Sequence, residues 1–203
     1  MRIAIAGAGN AGRAIARELI ANGHQVLLID KNPKALKMES VPSAEWLLAD
    51  ACEISSLDKA KLDICQVMVA ATGDDKVNLV ASLLAKTEYG VPRVVARVNH
   101  PKNEWLFDSS WGVDVAVSTP RIIAALVEEA VSVGDVVRLF SLKAGEANLV
   151  ELTLPDNSLC IGKSVAEINL PEDAALAAII RDGHVITPAG HDVFSAGDEL
   201  IFV

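Results

Sequence analysis

The stretch IAIAGAGNAGRAIARELIANGHQVLLIDKN, residues 3–32, predicts the fold of the first part of the chain. A short apolar strand comes first, and the turn after it contains three glycines, Gly7, Gly9 and Gly12. An amphipathic helical pattern then leads to a second apolar strand, which ends at Asp30. A strand, a glycine-rich turn, a helix and an acidic residue about 20 positions later form the fingerprint of a dinucleotide-binding βαβ unit.

The three glycines have separate physical roles in such a unit. Gly7 permits the tight turn, Gly9 lets the backbone approach a pyrophosphate, and Gly12 lets the helix pack closely on the strand. Backbone N–H groups at the start of the helix, where Asn10 and Ala11 lie, favour phosphate charge. A glycine-rich turn that binds no ligand is the alternative interpretation of the same pattern.

Asp30 favours a ribose with two free hydroxyl groups. Its carboxylate can accept hydrogen bonds from both hydroxyls, and it would repel a 2′-phosphate. NAD(H) is therefore favoured over NADP(H), although the adjacent Lys31 weakens this preference. Because ADP and ATP carry the same ribose diol, the fingerprint alone leaves a dinucleotide and a mononucleotide both open.

The sequence up to residue 134 predicts a doubly wound parallel sheet of six strands alternating with helices. Continuous apolar runs such as CQVMVAAT and RVVARV are typical of parallel strands that are buried on both faces. Helices are expected over about residues 75–89 and 121–133, and ISSLDKAKL predicts a short helix capped by Ser55 or Ser56. We therefore expect a Rossmann-type α/β domain over residues 1–134.

The pattern changes after Gly134 to short strands and turns, with one short helical stretch, GKSVAEI. The pair Asp182-Gly183 suits a two-residue type I′ turn between two apolar strands, which predicts a β-hairpin. These signals indicate a small α+β domain over residues 135–203.

Two further segments of the first domain follow strands and are candidates for the ligand site, because ligands bind beyond the carboxyl ends of parallel strands. AATGDDKVN places three residues beside the nucleotide: Ala71, Thr72 and Gly73. Asp74 and Asp75 either contact the ligand or cap the next helix. Arg97, at the end of RVVAR, either places a guanidinium near phosphate or forms a surface ion pair.

Composition argues against several classes of protein. The formal net charge of −9 is unfavourable for binding nucleic acid, which requires a basic surface. The three cysteines show no CxxC spacing, so neither a disulfide framework nor a zinc site is indicated, and His184 and His191 do not suggest a metal pair. No apolar run approaches the roughly 20 residues that span a bilayer, so we expect a cytoplasmic protein without direct membrane insertion.

The chain lacks the residue patterns of a catalytic centre. A dehydrogenase needs an acid or base beside the nicotinamide, and the single tyrosine, Tyr89, does not belong to a Tyr-xxx-Lys pair. IGKS at residues 161–164 lacks the preceding glycine of a phosphate loop, and no GxSxG elbow is present. A domain that binds a nucleotide without transforming it is typical of a sensor rather than an enzyme.

An ordered set of motifs, covering essentially the whole chain, resembles the regulatory nucleotide-binding subunits of Trk/Ktr-type bacterial potassium uptake systems. In the first domain the motifs are GAGNAG, VLLIDKNP, ADA, AATGDDKVNLVASLLAK and PRVVARVNHP. In the second domain they are SLCIGKSVAEINLP and AIIRDGHVITPAGHDVFSAGDELIFV.

The resemblance implies a cytoplasmic protein with a Rossmann domain and a smaller ligand-binding domain that regulates potassium conductance. It implies homodimers that build a larger ring beneath a membrane potassium-translocating subunit, at the inner face of the plasma membrane. It also implies that NAD(H) or ATP/ADP binds the first domain and changes the ring. The resemblance carries the nucleotide contacts over to Gly7, Gly9, Gly12, Asp30, Asp50, Thr72 and Arg97. Ala51, which follows Asp50 in the ADA motif, is included in the predicted site.

The same resemblance assigns the helix RIIAALVEEAVSV to a segment that crosses to a partner subunit. Its apolar face of Ile122, Ile123, Leu126 and Val127 suits that role, with burial in the chain's own core as the alternative. Asn10 stands where some members carry a basic residue for a terminal phosphate, and Arg121 stands where some carry a glutamate. Ala49 stands where a glycine is usual. These departures favour NAD(H) over ATP/ADP.

Two other functions are consistent with the residues. One is a nucleotide-binding regulator of another cation transporter, such as a proton antiporter. The other is a small NAD(P)-dependent reductase, which would oxidise NADH in the presence of its substrate. The second domain contains no fingerprint that identifies a ligand.

Overall fold

The computed structural model describes residues 1–131, 136–142 and 147–203. These residues divide into two compact units, Met1–Pro120 and Arg121–Val203. The domain boundary predicted between residues 134 and 135 lies outside the described residues.

The first unit is built on a six-stranded parallel sheet in the order β3-β2-β1-β4-β5-β6. The strand order reverses direction between β1 and β4, which is the arrangement of a Rossmann fold and confirms the predicted fold class. The strands are β1 (Arg2–Ala6), β2 (Gln25–Asp30), β3 (Glu45–Leu48), β4 (Val67–Ala70), β5 (Arg93–Val98) and β6 (Val115–Ser118).

Both faces of this sheet are buried, which explains the continuous apolar runs in the sequence. Along β1, Ile3 and Ile5 pack into one apolar cluster, whereas Ala4 and Ala6 pack into another. Successive side chains of a strand point to opposite faces, so each strand contributes to a layer on each side of the sheet.

Three helices of the first unit connect the strands, and a fourth follows β6. They are α1 (Asn10–Ala21), α2 (Ile54–Lys59), α3 (Asp75–Thr87) and α4 (Thr119–Val131). Single 3-10 turns or short 3-10 helices occur at Pro33–Ala35, Met38–Ser40, Leu62–Ile64, Pro101–Leu106 and Ser109–Trp111. The predicted serine cap of α2 is wrong: Glu53 is the N-cap and Ser56 is buried, because Leu57 must face the core from the first turn.

The second unit contains a five-stranded sheet in the order β10-β9-β11-β8-β7, in which neighbouring strands are antiparallel. Its strands are β7 (Val136–Leu142), β8 (Ala147–Thr153), β9 (Leu176–Arg181), β10 (His184–Ile186) and β11 (Glu199–Phe202). The short predicted helical stretch appears as a 3-10 turn, Val165–Glu167, with a capping box between Ser164 and Glu167.

The hairpin predicted at Asp182-Gly183 is confirmed. Arg181 pairs directly with His184, so two residues form the turn, and both have positive φ angles of 50° and 74°. Positive φ at both central positions defines a type I′ turn.

A buried ion pair ties the end of β9 to the turn before β11. Asp198 is fully buried, and its carboxylate accepts two hydrogen bonds of 2.7 Å from the Arg181 guanidinium and one of 2.8 Å from the Ser195 N–H. Burial alone would raise the pKa of Asp198, but the hydrogen bonds from Arg181 and Ser195 outweigh it and hold the pKa below its usual value.

We expect Gly12→Ala to destabilise the first unit by about 3 kcal/mol or more. The added Cβ would lie 1.8 Å from the carbonyl oxygen of Gly7, so the backbone must shift to admit it. Denaturant unfolding followed by circular dichroism measures the change. Gly9→Ala is the matched control, because a Cβ at Gly9 meets no protein atom within 4 Å. Equal unfolding midpoints for the two variants would contradict the packing argument.

We expect Asp198→Asn to destabilise the second unit by about 1–3 kcal/mol, since it removes the charged acceptor shared by the partly exposed Arg181 and the Ser195 N–H. The lowered pKa also sets the pH dependence: this carboxylate stabilises the fold above pH ~4, the unfolded value, and the contribution is lost as pH falls through the folded pKa. Thermal unfolding between pH 7 and pH 2 measures both effects. The exposed Asp156→Asn is the control, and an unchanged pH profile in Asp198→Asn would refute this account.

Candidate nucleotide site

A cavity lies at the carboxyl edge of the parallel sheet, where β1, β2 and β4 end. It has a volume of about 530 Å³, which is within the range of small-molecule sites. The residues that line it are Gly7, Gly9, Asn10, Ala11, Ile29, Asp30, Lys31, Ala49, Asp50, Ala51, Ala71, Thr72, Gly73, Asp74, Val77 and Arg97.

The glycine turn forms one wall of the cavity. Gly7 has a φ of +105°, and a Cβ there would lie 2.9 Å from the Thr72 nitrogen, so only glycine fits between β1 and β4. The N–H of Gly7 donates to the carbonyl oxygen of Ile29 at 2.7 Å, which ties the turn to β2. Gly9 is the N-cap of α1 and provides no side-chain cap, so the first N–H groups of the helix remain available to an anion.

Arg13 holds this wall in place from the first turn of α1. Its guanidinium donates to the carbonyl oxygens of Ala8 and Ala35, and to Oδ1 of Asn10 at 2.7 Å. These bonds join the glycine turn to the chain that follows β2. Because Asn10 Oδ1 is engaged by Arg13, the amide nitrogen of Asn10 is the end left for a ligand.

The carboxylate of Asp30 is fixed by two backbone donors. Ala8 N–H donates to Oδ2 at 2.8 Å, and Asn32 N–H donates to Oδ1 at 2.8 Å. A carboxylate offers about four acceptor positions, so each oxygen can still accept one further hydrogen bond. The geometry leaves Asp30 oriented and able to bind a diol.

Lys31 and Asp50 form an ion pair at the rim of the cavity. Lys31 Nζ lies 3.2 Å from Asp50 Oδ2, and the N–H of Cys52 donates to Asp50 Oδ1 at 3.0 Å. The Cys52 N–H and then Lys31 lower the pKa of Asp50, and the hydrogen bond to Asp50 raises the pKa of Lys31. Desolvation, followed by the charge of Asp50, raises the pKa of the Cys52 thiol to about 11, so this thiol is unreactive at neutral pH.

Asn78 supports the opposite wall from within the core. It is fully buried, and its Oδ1 accepts from the Thr72 N–H at 2.9 Å and from the Thr72 hydroxyl at 2.6 Å. Its amide nitrogen donates to the carbonyl oxygen of Arg97 at 2.8 Å. One side chain on α3 therefore fixes the ends of both β4 and β5.

Arg97 lines the cavity with an unsatisfied donor. Its Nε is buried and has no hydrogen-bond partner among the described residues. A buried N–H without a partner is unfavourable, and a shift of the Arg97 guanidinium toward an anion in the cavity would relieve this cost. This observation fits a phosphate near Arg97.

The two aspartates after β4 have different roles. Asp74 lines the cavity and also caps α3, because its Oδ1 accepts from the Lys76 N–H at 2.9 Å. The buried Asp75 instead accepts hydrogen bonds from Asn99, His100 and Asn103, and so anchors the loop after β5.

The structure brings twelve of the thirteen residues predicted for the nucleotide site around this one cavity. The exception is Gly12, which packs against Gly7 instead. Asp74, which the sequence left between a ligand contact and a helix cap, also lines the cavity, as does Ala49. Sequence reasoning did not include the cavity residues Ile29 and Val77, or the supporting role of Arg13 and Asn78. A polar residue on the buried face of a predicted helix is the signal that could have identified Asn78.

The second unit contains a separate cavity of about 140 Å³ with an apolar lining. Its lining residues are Leu152, Leu154, Cys160, Val165, Ile168, Leu170, Leu176, Phe194, Leu200 and Phe202. This lining contains no charged group that could fix the orientation of a polar ligand.

Across residues 1–131, 136–142 and 147–203, the helices are all too short or too polar to cross a bilayer.

The sequence model of the TrkA-N domain matches residues 3–119, and that of the TrkA-C domain matches residues 149–203. The Trk system potassium uptake protein TrkA of Mycobacterium tuberculosis is 58% identical to the chain over 203 residues. That alignment covers 100% of this chain and 92% of the relative.

Two solved structures share the fold at low sequence identity. The GsuK channel bound to NAD aligns with a TM-score of 0.70 and 18% identity, over 99% of this chain and 36% of the channel chain. The Kef CTD of Shewanella denitrificans in its AMP-bound form aligns with a TM-score of 0.56 and 24% identity, over 64% of this chain and 79% of that chain. The chain thus spans about a third of the length of the channel.

The TrkA-N match covers more than half of the chain, and the similarity to the Mycobacterium tuberculosis relative extends over the whole of this chain. The chain therefore belongs to the TrkA family of Trk system potassium uptake proteins, rather than to a family of enzymes.

Proposed function

We propose that the chain is a nucleotide-sensing regulatory subunit that controls a membrane potassium-translocating protein. The observation that carries this proposal is the cavity at the sheet edge, in which an oriented carboxylate, Asp30, faces a glycine turn at the start of α1. Such a cavity suits an adenosine phosphate, and its lining contains no tyrosine or histidine. The one tyrosine is used elsewhere, since the Tyr89 hydroxyl donates to Ile54 and Asp58.

The residues present fit NAD(H). The N–H groups at the start of α1 would hold the pyrophosphate, and Asp30 would accept hydrogen bonds from the ribose hydroxyls. Thr72 and Gly73 would border the ligand, and Arg97 would supply the donor that now lacks a partner. A bound dinucleotide would add a redox-active nicotinamide, but on this proposal its occupancy, not its chemistry, is the signal.

NAD(H) is preferred over ATP or ADP in this proposal. The neutral Asn10 faces the cavity where a cation would favour a terminal phosphate, and Arg13 nearby is engaged by Ala8, Ala35 and Asn10. The NAD-bound GsuK channel is consistent with this choice, and the AMP-bound Kef domain keeps the mononucleotides as the competing ligands to test.

The proposal includes a homodimer that assembles into a larger ring at the cytoplasmic face of the membrane. Helix α4 leaves Ile123, Leu126 and Val127 between 54% and 57% exposed. These residues share one helical face at i, i+3 and i+4 spacing, and an exposed apolar stripe of this kind is typical of a helix that packs against a partner.

Ligand binding acts on such an assembly by linkage. A nucleotide shifts the ring from one geometry to another only if it binds the two geometries with different affinities. A difference of 1–3 kcal/mol corresponds to roughly 5- to 150-fold coupling between nucleotide binding and the state of the transporter.

We expect Asp30→Ala to weaken NADH binding at least ~30-fold, because the ribose loses a charged acceptor. Asp30→Asn, which retains one acceptor oxygen for the backbone, should fall between Ala and wild type. Isothermal calorimetry with NADH, NAD, ATP and ADP measures the affinities, and Asp63→Ala, which removes an exposed carboxylate outside the cavity lining, is the control. The same NADH affinity in Asp30→Ala and wild type would overturn the ribose assignment.

Gly9→Ala separates a binding effect from a folding effect in the same assay. The substitution costs the fold no more than about 1 kcal/mol as an N-cap change, yet its Cβ would stand where a pyrophosphate must approach. A stable Gly9→Ala variant that still binds NADH with wild-type affinity would argue against a phosphate at the glycine turn.

We expect nucleotide to change potassium flux when the full chain is reconstituted with its membrane partner in proteoliposomes. Asp30→Ala should make the flux insensitive to NADH at concentrations that saturate the wild type, because the signal is occupancy of the cavity. Potassium flux with and without NADH is the measurement. The proposed function would be refuted if no adenine nucleotide changed the potassium flux, or if the purified chain steadily oxidised NADH.

A further inference from the structure

The rim of the nucleotide cavity contains a cation that is adjacent in sequence to the ribose-reading carboxylate. Lys31 directly follows Asp30, and its side chain is 65% exposed. A phosphate on the ribose 2′-oxygen would be attached to the same sugar that Asp30 is proposed to bind. Lys31 is therefore the nearest cation in sequence that could attract such a phosphate and offset the repulsion from Asp30.

In the structure, however, Lys31 is engaged by another carboxylate. Its Nζ lies 3.2 Å from Asp50 Oδ2 at the end of the neighbouring strand β3. Asp50 is itself held, since its Oδ1 accepts from the Cys52 N–H at 3.0 Å and its side chain is only 28% exposed. Asp50, which is the more buried of the two residues, therefore sets the position of the exposed Lys31 side chain.

Backbone pairing keeps the two charges in register. The N–H of Ala49 donates to the carbonyl oxygen of Asp30 at 3.0 Å, continuing the parallel pairing of β2 with β3 one residue beyond Leu48. This pairing places the backbone of Asp50 beside that of Lys31, within reach of the side-chain ion pair. The third carboxylate near this lysine, Asp74, adds to the attraction that raises its pKa.

We propose that Asp50 is a positioning residue that makes the cavity discriminate against a 2′-phosphate, by holding Lys31 in an ion pair and leaving Asp30 unopposed. This inference rests on the proposed binding of a dinucleotide and adds the basis of its selectivity. The cavity selects NAD(H) over NADP(H) through two carboxylates, of which Asp30 reads the ribose and Asp50 neutralises the neighbouring cation.

The test compares the affinities for NADPH and NADH, measured by calorimetry at low salt with the full chain. Asp50→Asn keeps an acceptor for the Cys52 N–H but removes the charge that holds Lys31. We expect the ratio Kd(NADPH)/Kd(NADH) to fall by about 3- to 5-fold in this variant, the size of effect that a partly exposed charge pair supports. The change should shrink at high salt, where exposed charges are screened.

The double variant Asp50→Asn/Lys31→Gln shows whether the effect acts through Lys31. It should restore the wild-type ratio, whereas a direct effect of Asp50 on the ligand would persist in the absence of the lysine. Lys31→Gln alone leaves the Asp50 carboxylate without its cation, so it should raise the ratio Kd(NADPH)/Kd(NADH) through added repulsion of the 2′-phosphate. The control Glu39→Gln removes an exposed carboxylate outside the cavity lining and should alter neither affinity.

The outcomes separate this inference from the proposed function. If the wild type binds no adenine dinucleotide, both the proposed function and this inference are refuted. If the wild type binds NADH but Asp50→Asn leaves the ratio unchanged, or loses both ligands equally, the positioning role of Asp50 is refuted and the nucleotide site stands. A ratio that stays below the wild-type value in the double variant would also refute it, since Asp50 would then act on the ligand without Lys31.

Discussion

Helix α1 can begin where it does because Gly12 brings no side chain to the carbonyl oxygen of Gly7. A Cβ would lie 1.8 Å from that oxygen, so the close approach of helix to turn depends on hydrogen at this position. The approach sets the first N–H groups of α1 at the carboxyl edge of β1, beside the ends of β2 and β4. Every other element of the cavity is placed relative to this contact, including the Asp30 carboxylate that accepts from Ala8.

The polar groups of the cavity divide by charge in a way that suits an adenosine phosphate. The start of α1 and the buried Nε of Arg97 offer donors to an anion, whereas Asp30 offers acceptors to hydroxyl groups. The remaining cation, Lys31, is paired with Asp50. On the function proposed above, this arrangement would link nucleotide binding to potassium uptake without requiring that the nucleotide be consumed.

Many of these features can be predicted from the sequence because they depend on the conformational preferences of neighbouring residues. The glycine turn, the apolar strands and the Asp182-Gly183 hairpin follow from backbone sterics and periodicity, and Asp30 follows from its position at a strand end. The hydrogen bonds of Arg13 and Asn78 could not be predicted, because they join segments distant in sequence, such as Arg13 with Ala35 and Asn78 with Arg97. The cap of α2 was missed because burial of Leu57 shifted its start.

The buried amide of Asn78 restricts how the cavity can deform. It is hydrogen-bonded to Thr72 at the end of β4 and to Arg97 at the end of β5. Separating these two strand ends would break those bonds and leave the fully buried amide of Asn78 without a partner. That penalty makes the β4–β5 side of the cavity resistant to deformation. Movement that accompanies occupancy is then less costly on the other side, where residues 31–34 after β2 are exposed and the Arg13 guanidinium reaches the carbonyl oxygen of Ala35 at 3.4 Å.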